Sequence, residues 1–84
     1  MKRRSTITIT DIGRRLNDVR ERRYLSRREL GRASGVSCVS IGLIEDGLRL
    51  YPRIHTVARL AAALEVDPAW LAWGRVPKRV PKQP

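Results

Sequence analysis

Apolar residues recur at helical spacing through most of the chain. Ile12, Leu16, Val19 and Arg23 fall on one stripe at steps of four, three and four, while Arg14, Arg15 and Arg22 fill the remaining face. This pattern predicts a first helix that starts at Thr10 or Asp11, either of which can cap first-turn amides. Tyr24 and Leu25 close that segment. A second helix is expected over about 26–34. Ser26 and Glu29 have the spacing of a capping box, Leu30 and Ala33 face inward, and Gly35 ends the helix by taking positive φ. The third helix, about 37–46, has Ser37 as its cap, Ile41, Ile44 and Leu48 as its apolar stripe, and Gly47 as its terminator.

Pro52 suits the first turn of a fourth helix over about 53–64, with Ile54, Val57, Leu60, Ala61 and Leu64 inward. Asp67 as cap and Pro68 at the first helical position open a short fifth helix that ends at Gly74. Each helix is too short to be stable alone, so the five must share one core. The ends read differently. Ser5 to Thr10 alternates Ser/Thr and Ile with the period of a strand. A lone strand needs a partner, such as the same segment of a second subunit. The other reading is an extended arm whose isoleucines pack on the domain edge. Residues 75–84 hold three prolines and are expected as an extended tail. The organisation is therefore an arm at 1–10, an all-α domain at 11–74 and a tail at 75–84.

Charge sharpens this picture. The 84 residues carry a formal net charge of +10, from 18 basic and 8 acidic side chains. Lys2, Arg3 and Arg4 in the arm, with Arg75, Lys78, Arg79 and Lys82 in the tail, supply seven of those ten charges, and neither end has an acid. A basic body with more basic ends suits a polyanion, of which nucleic acid is the commonest. The plainer reading is that the ends only solubilise.

Other classes find little support. One cysteine, Cys38, allows no internal disulfide, and one Cys with one His cannot build a zinc site. His55 has no ligand-type partner and reads as a surface residue. There is no Gly-rich phosphate loop and no nucleophile beside a base, so neither a cofactor nor an enzyme is expected. No apolar run reaches signal-peptide or membrane-span length, which predicts a cytoplasmic, nucleoid-associated protein with no membrane partner.

The chain resembles the phage-repressor-like Xre/Cro helix-turn-helix family. The likeness rests on Ile12-Gly13-Arg14-Arg15-Leu16, Arg20, Leu25-Ser26-Arg27-Arg28-Glu29-Leu30, Gly35-Val36-Ser37, Ile41, Ile44-Glu45-Asp46-Gly47, Pro52, Leu60 to Leu64 and Asp67-Pro68-Ala69-Trp70-Leu71. It implies a compact five-helix, lambda-repressor-like domain that binds duplex DNA, often as a dimer. It also implies a structural salt bridge between Arg20 and Glu45, and phosphate contacts from Ser26 and Arg27 at the start of helix two. The family usually has glutamine where this chain has Arg27. Ser37, Arg53 and the arm residues Arg3 and Arg4 are further phosphate candidates, although Arg53 also reads as a solvated first-turn side chain. Trp70 is expected in the core, and Trp73 more exposed, at a dimer contact or in simple lid packing.

The reading face departs from the family. At about 100° per residue, Cys38, Val39, Gly42, Leu43 and Asp46 lie opposite Ile41 and Ile44, with Ser40 near the edge of the core. The family places Gln, Arg, Ser, Thr or Asn at such outer positions, because base edges are read by hydrogen bonds. Three readings stay open. Val39 and Leu43 could meet thymine methyls while Gly42 lets the helix come close. Arginines and tails could supply affinity, with DNA shape supplying selectivity. Or the face could bind protein. The expected function is a sequence-specific transcriptional regulator, a dimeric repressor acting by operator occupancy. The alternatives are an antirepressor- or antitoxin-like module with a protein partner, and a weakly specific DNA coat.

Overall fold

The computed structural model describes the backbone of residues 7–74 and the side chains from Ile12 to Gly74. Five helices follow in order: α1 (Ile7–Arg22), α2 (Arg27–Ser34), α3 (Cys38–Glu45), α4 (Ile54–Leu64) and α5 (Pro68–Trp73), with no strand among the described residues. Every helix sends at least one side chain to full burial: Leu16, Leu30, Ile41, Ile44, Leu60, Leu64 and Leu71. Helix α1 packs on α3 and α5, α2 packs on α3 and α4, and α4 packs on α5. Among the described residues, no helix is long and apolar enough to cross a membrane.

The local signals act as their chemistry requires. Ser26 and Glu29 form a reciprocal capping box, and Gly35 turns the chain at φ 79°. Asp67 Oδ1 accepts from the Ala69 and Trp70 amides at 2.7 and 3.4 Å, with Pro68 opening α5 behind it. Arg15 does more than fill a polar face. Its Nε and Nη2 donate to the carbonyls of Leu71 and Ala72 at 3.0 and 2.9 Å, which fastens the C-terminal end of α5 to α1.

Several expectations are corrected. Residues 7–10 are helical, so α1 starts before Thr10 and Asp11, and neither the extended arm nor the strand applies to that stretch. A single strand would leave its amides and carbonyls without partners, whereas a helix pairs them within the segment. Arg3 and Arg4 lie outside the described residues, as do the rest of 1–6 and the tail from 75. Ala33 is exposed, and Val36, in the turn after α2, takes the inward place. Leu48 is 73% exposed rather than in the α3 stripe. Gly47, at φ 77°, ends the helical path, and the Leu48 amide turns back to the Leu43 carbonyl at 2.9 Å. Pro52 stands one residue before the cap of α4, which is Arg53. Ile54 is the first helical residue and is 71% exposed, because its turn overhangs the core rather than facing it. Trp70 is half-buried against the core.

One close approach fixes α1 against α3. Gly13 is buried where α1 meets the last turn of α3. A Cβ there would collide with the Ile44 carbonyl oxygen and stand 3.1 Å from that of Glu45.

Candidate nucleic-acid interface

The start of α2 and the outer side of α3 share one shallow depression, lined by Ser26, Arg27 and Arg28 together with Cys38, Val39 and Leu43. Sequence spacing alone puts these on separate helices, and the buried pair Leu30 and Ile41 draws the helices together. Two capped N-termini frame the surface. Ser26 Oγ accepts from the Glu29 amide at 2.9 Å, and Glu29 Oε1 accepts from the Ser26 amide at 2.7 Å. Ser37 Oγ accepts from the Ser40 amide at 3.1 Å.

The bonds from Ser26 hold the Glu29 carboxyl below the ordinary glutamate range, the backbone amide contributing most. A depressed native pKa means stability present above the unfolded value and lost as the pH falls through the native one. The domain is therefore expected to weaken below about pH 4.5. Thermal melts at falling pH should show a flatter acid limb in Glu29→Gln, which can still close the box but does not titrate.

On α3, Val39 is 68% exposed, while Cys38, Ser40 and Leu43 are half-buried. Ser40 lies at the edge, where its hydroxyl meets Ser37 Oγ at 3.1 Å and accepts from Arg49 Nη1 at 3.4 Å. Sequence spacing does not single out Arg49. The turn at Gly47 returns it along α3, and only the Gly47 turn signal hints at that. Ser26, Ser37 and Arg53 are exposed, and Arg53 caps α4 without a side-chain cap bond. His55 is exposed.

Gly42 was expected on the open face, and it is buried. What covers it is Arg27. The Arg27 Nη1 stands 3.0 Å from where a Gly42 Cβ would be. From there Arg27 Nε donates to Glu45 Oε1 at 2.9 Å and Nη2 to Asp46 Oδ1 at 3.1 Å. Arg20 reaches the same carboxylate from the other side, with Nε to Glu45 Oε2 at 2.7 Å and Nη2 to Oε1 at 3.0 Å. Its remaining nitrogen contacts go to the Leu25 carbonyl at 2.7 Å and Asn17 Oδ1 at 2.9 Å. The Glu45 side chain is only 1% exposed. Its hydrogen bonds push both guanidiniums above the ordinary arginine range, with Asp46 adding to the effect on Arg27.

The structure thus brings Arg20 and Glu45 together, and it joins Arg27 and Asp46 to them in a cluster of two cations and two anions. The charge of Asp46 on the outer side of α3 is met by Arg27 rather than left open.

A second surface is apolar. Leu50, Tyr51, Ile54 and Trp73 line a groove of about 530 Å³ between the loop after α3 and helices α4 and α5. Tyr51, Ile54 and Trp73 are each more than two-thirds exposed.

A family model described as a helix-turn-helix domain matches residues 11–73. The chain is 41% identical over 54 residues to the HTH-type transcriptional repressor RghR of Bacillus subtilis (strain 168), covering 64% of this chain and 40% of that one. It is 36% identical over 58 residues to the uncharacterized HTH-type transcriptional regulator RghRB of the same organism, covering 69% and 42%. The chain spans about 40% of the length of these curated relatives. Among solved structures, an HTH_3 family transcriptional regulator from Vibrio cholerae superposes with a TM-score of 0.71 at 29% identity, over 77% of this chain and 36% of that one. The restriction-modification controller protein C.AhdI from Aeromonas hydrophila gives 0.70 at 30% identity, over 75% and 90%.

Proposed function

The chain belongs to the helix-turn-helix domain family, and on that premise we propose that it is a sequence-specific regulator of transcription that binds duplex DNA. It acts as a repressor by occupying an operator, without catalysis. The observation that carries this reading is the shared surface of α2 and α3, with Ser26, Arg27 and Arg28 beside Cys38, Val39 and Leu43. A helix of this size fits the major groove of duplex DNA, and a neighbouring helix N-terminus offers amides to the phosphates. RghR, a repressor by name, and C.AhdI, a controller protein, support the same reading.

In this reading α3 enters the major groove through Cys38, Val39, Ser40 and Leu43. Ser26, Ser37 and Arg53 hold the backbone, and the basic ends at 1–10 and 75–84 add affinity that carries no sequence information. The protein works in the cytoplasm, on the nucleoid. One short helix reads few base pairs, so two copies act together on a palindrome. The groove beside Tyr51, Ile54 and Trp73 is the contact surface, since large exposed apolar side chains gathered in one place are covered in an assembly.

Selection of bound sequences from random duplex DNA, followed by a salt titration on the preferred duplex, tests this. A preferred duplex should bind orders of magnitude more tightly than bulk DNA. A steep salt dependence with no preferred sequence would leave a non-specific coat. No binding at low salt would leave protein recognition. Val39→Ala and Leu43→Ala refine the outcome. A buried methyl-sized group is worth about 0.8 kcal/mol, so each variant should lose a roughly fourfold preference for thymine at one position and keep its bulk binding. Unchanged selection in both would remove these side chains from the reading role.

A further inference from the structure

The exposed residues of α3 offer DNA few donors. Val39 and Leu43 carry none, the Cys38 thiol is a weak one, and Ser40, whose hydroxyl oxygen accepts from Ser37 and Arg49, has one neutral O–H to give. Yet a strong donor lies on that helix without belonging to it. The Arg27 guanidinium rests over Gly42, at the place where a residue-42 side chain would begin. Two of its three nitrogens are held, Nε by Glu45 and Nη2 by Asp46, and Nη1 has no bonded partner among the described residues. The side chain is 40% exposed, in the depression that also holds Val39 and Leu43. Both neighbouring carboxylates fix the plane, so the rotamer freedom that arginine normally loses on binding is already largely spent.

The charges decide what this guanidinium can recognise. Arg20, Arg27, Glu45 and Asp46 together carry no net charge, and Asp46 is exposed beside the free edge. A phosphate brought there would gain little attraction and would approach the Asp46 carboxylate. A base edge is neutral and needs donors in a fixed direction. Guanine, with O6 and N7 both acceptors, is the edge arginine suits. We propose that Arg27 is a specificity-determining residue: laid over Gly42 and braced by Glu45 and Asp46, it supplies the strong, fixed hydrogen-bond donor that the side chains of α3 do not, and selects guanine. The phosphate contact that resemblance assigns to this position is thereby replaced. Gly42 has a defined part in this, since it leaves the space that the guanidinium fills.

The inference rests on α3 facing DNA, and the test separates the two. Selection from random duplex DNA is run on the full chain, on Arg27→Ala and on Gly42→Ala, with a salt titration for each. Gly42→Ala puts a methyl under Nη1, and alanine is the better helix former, so that variant keeps its fold. Thermal melting checks Arg27→Ala, in which Glu45 still has Arg20. The parent should select a guanine at one position of each half-site. Arg27→Ala should lose that preference by roughly 5- to 100-fold, with the other positions and the salt slope nearly unchanged, and Gly42→Ala, whose methyl shifts the Nη1 tip by a few tenths of an ångström, should weaken it by less. A uniform loss across all sequences in Arg27→Ala, with the slope falling by about one charge, makes Arg27 a phosphate anchor and overturns the inference alone. Guanine retained at full preference by Arg27→Ala overturns it equally. A parent that selects no sequence overturns the regulatory reading, and the inference with it.

Discussion

Glu45→Ala should cost about 3–5 kcal/mol, the range for removing one partner of a buried pair. The substitution leaves the Arg20 side chain, only 11% exposed, without its bidentate acceptor. It also takes the Nε partner from Arg27. A domain of this size has roughly 4–13 kcal/mol of stability in all, so the loss is about a quarter of the total or more. Urea titration should show a lower midpoint with an unchanged slope, and melting should drop by more than about 12 °C. Glu45→Gln should lose less, since an amide oxygen still accepts from Arg20. Equal losses in the two variants would mean that shape rather than charge holds the junction.

Gly13→Ala is the second large effect. The added carbon meets the Ile44 carbonyl oxygen, with the Glu45 carbonyl at 3.1 Å and the Glu45 Cα at 3.2 Å. All three are backbone atoms, so none can swing aside, and α1 and α3 must part. Overpacking of this kind costs about 1–3 kcal/mol. The gain in helix propensity offsets up to about 1 kcal/mol. We expect a net loss of about 2 kcal/mol by urea titration. DNA affinity should fall beyond what that loss explains, because α3 is carried on this contact. Wild-type stability in the variant would show that the two helices separate at no cost.

Much of the fold could be read from residues close together in the chain. Ser26 with Glu29, Asp67 with Pro68, and Gly35 each act within one helical turn, and local hydrogen bonding settles their outcome. Most of the inward stripes of α1 and α4 was legible for the same reason, as a period needs only its own segment, but Arg23, placed on the α1 stripe, is exposed and lies past the end of that helix. Failures came where a pattern was carried past the turn that ends it, as at Leu48, or into a first turn that overhangs the core, as at Ile54. The stretch before Thr10 failed because Thr and Ile in alternation fit both a strand and the start of a helix.

The outer face of α3 was legible in outline only. Its exposed members, Val39 above all, follow from helical geometry. The state of Gly42 does not, because it depends on a side chain fifteen positions earlier. Resemblance pairs Arg20 with Glu45, but it gives no hint that Arg27 shares the same carboxylate.

The seat of Arg27 on Gly42 also constrains how this surface can vary. The two positions are not independent letters. A methyl at 42 would stand 3.0 Å from Nη1 and move the tip of Arg27 by a few tenths of an ångström, whereas a longer side chain needs the space that the guanidinium fills. If Arg27 reads a base, a change of target through this part of the helix has to be made at 27 with 42 kept small, or at both positions together.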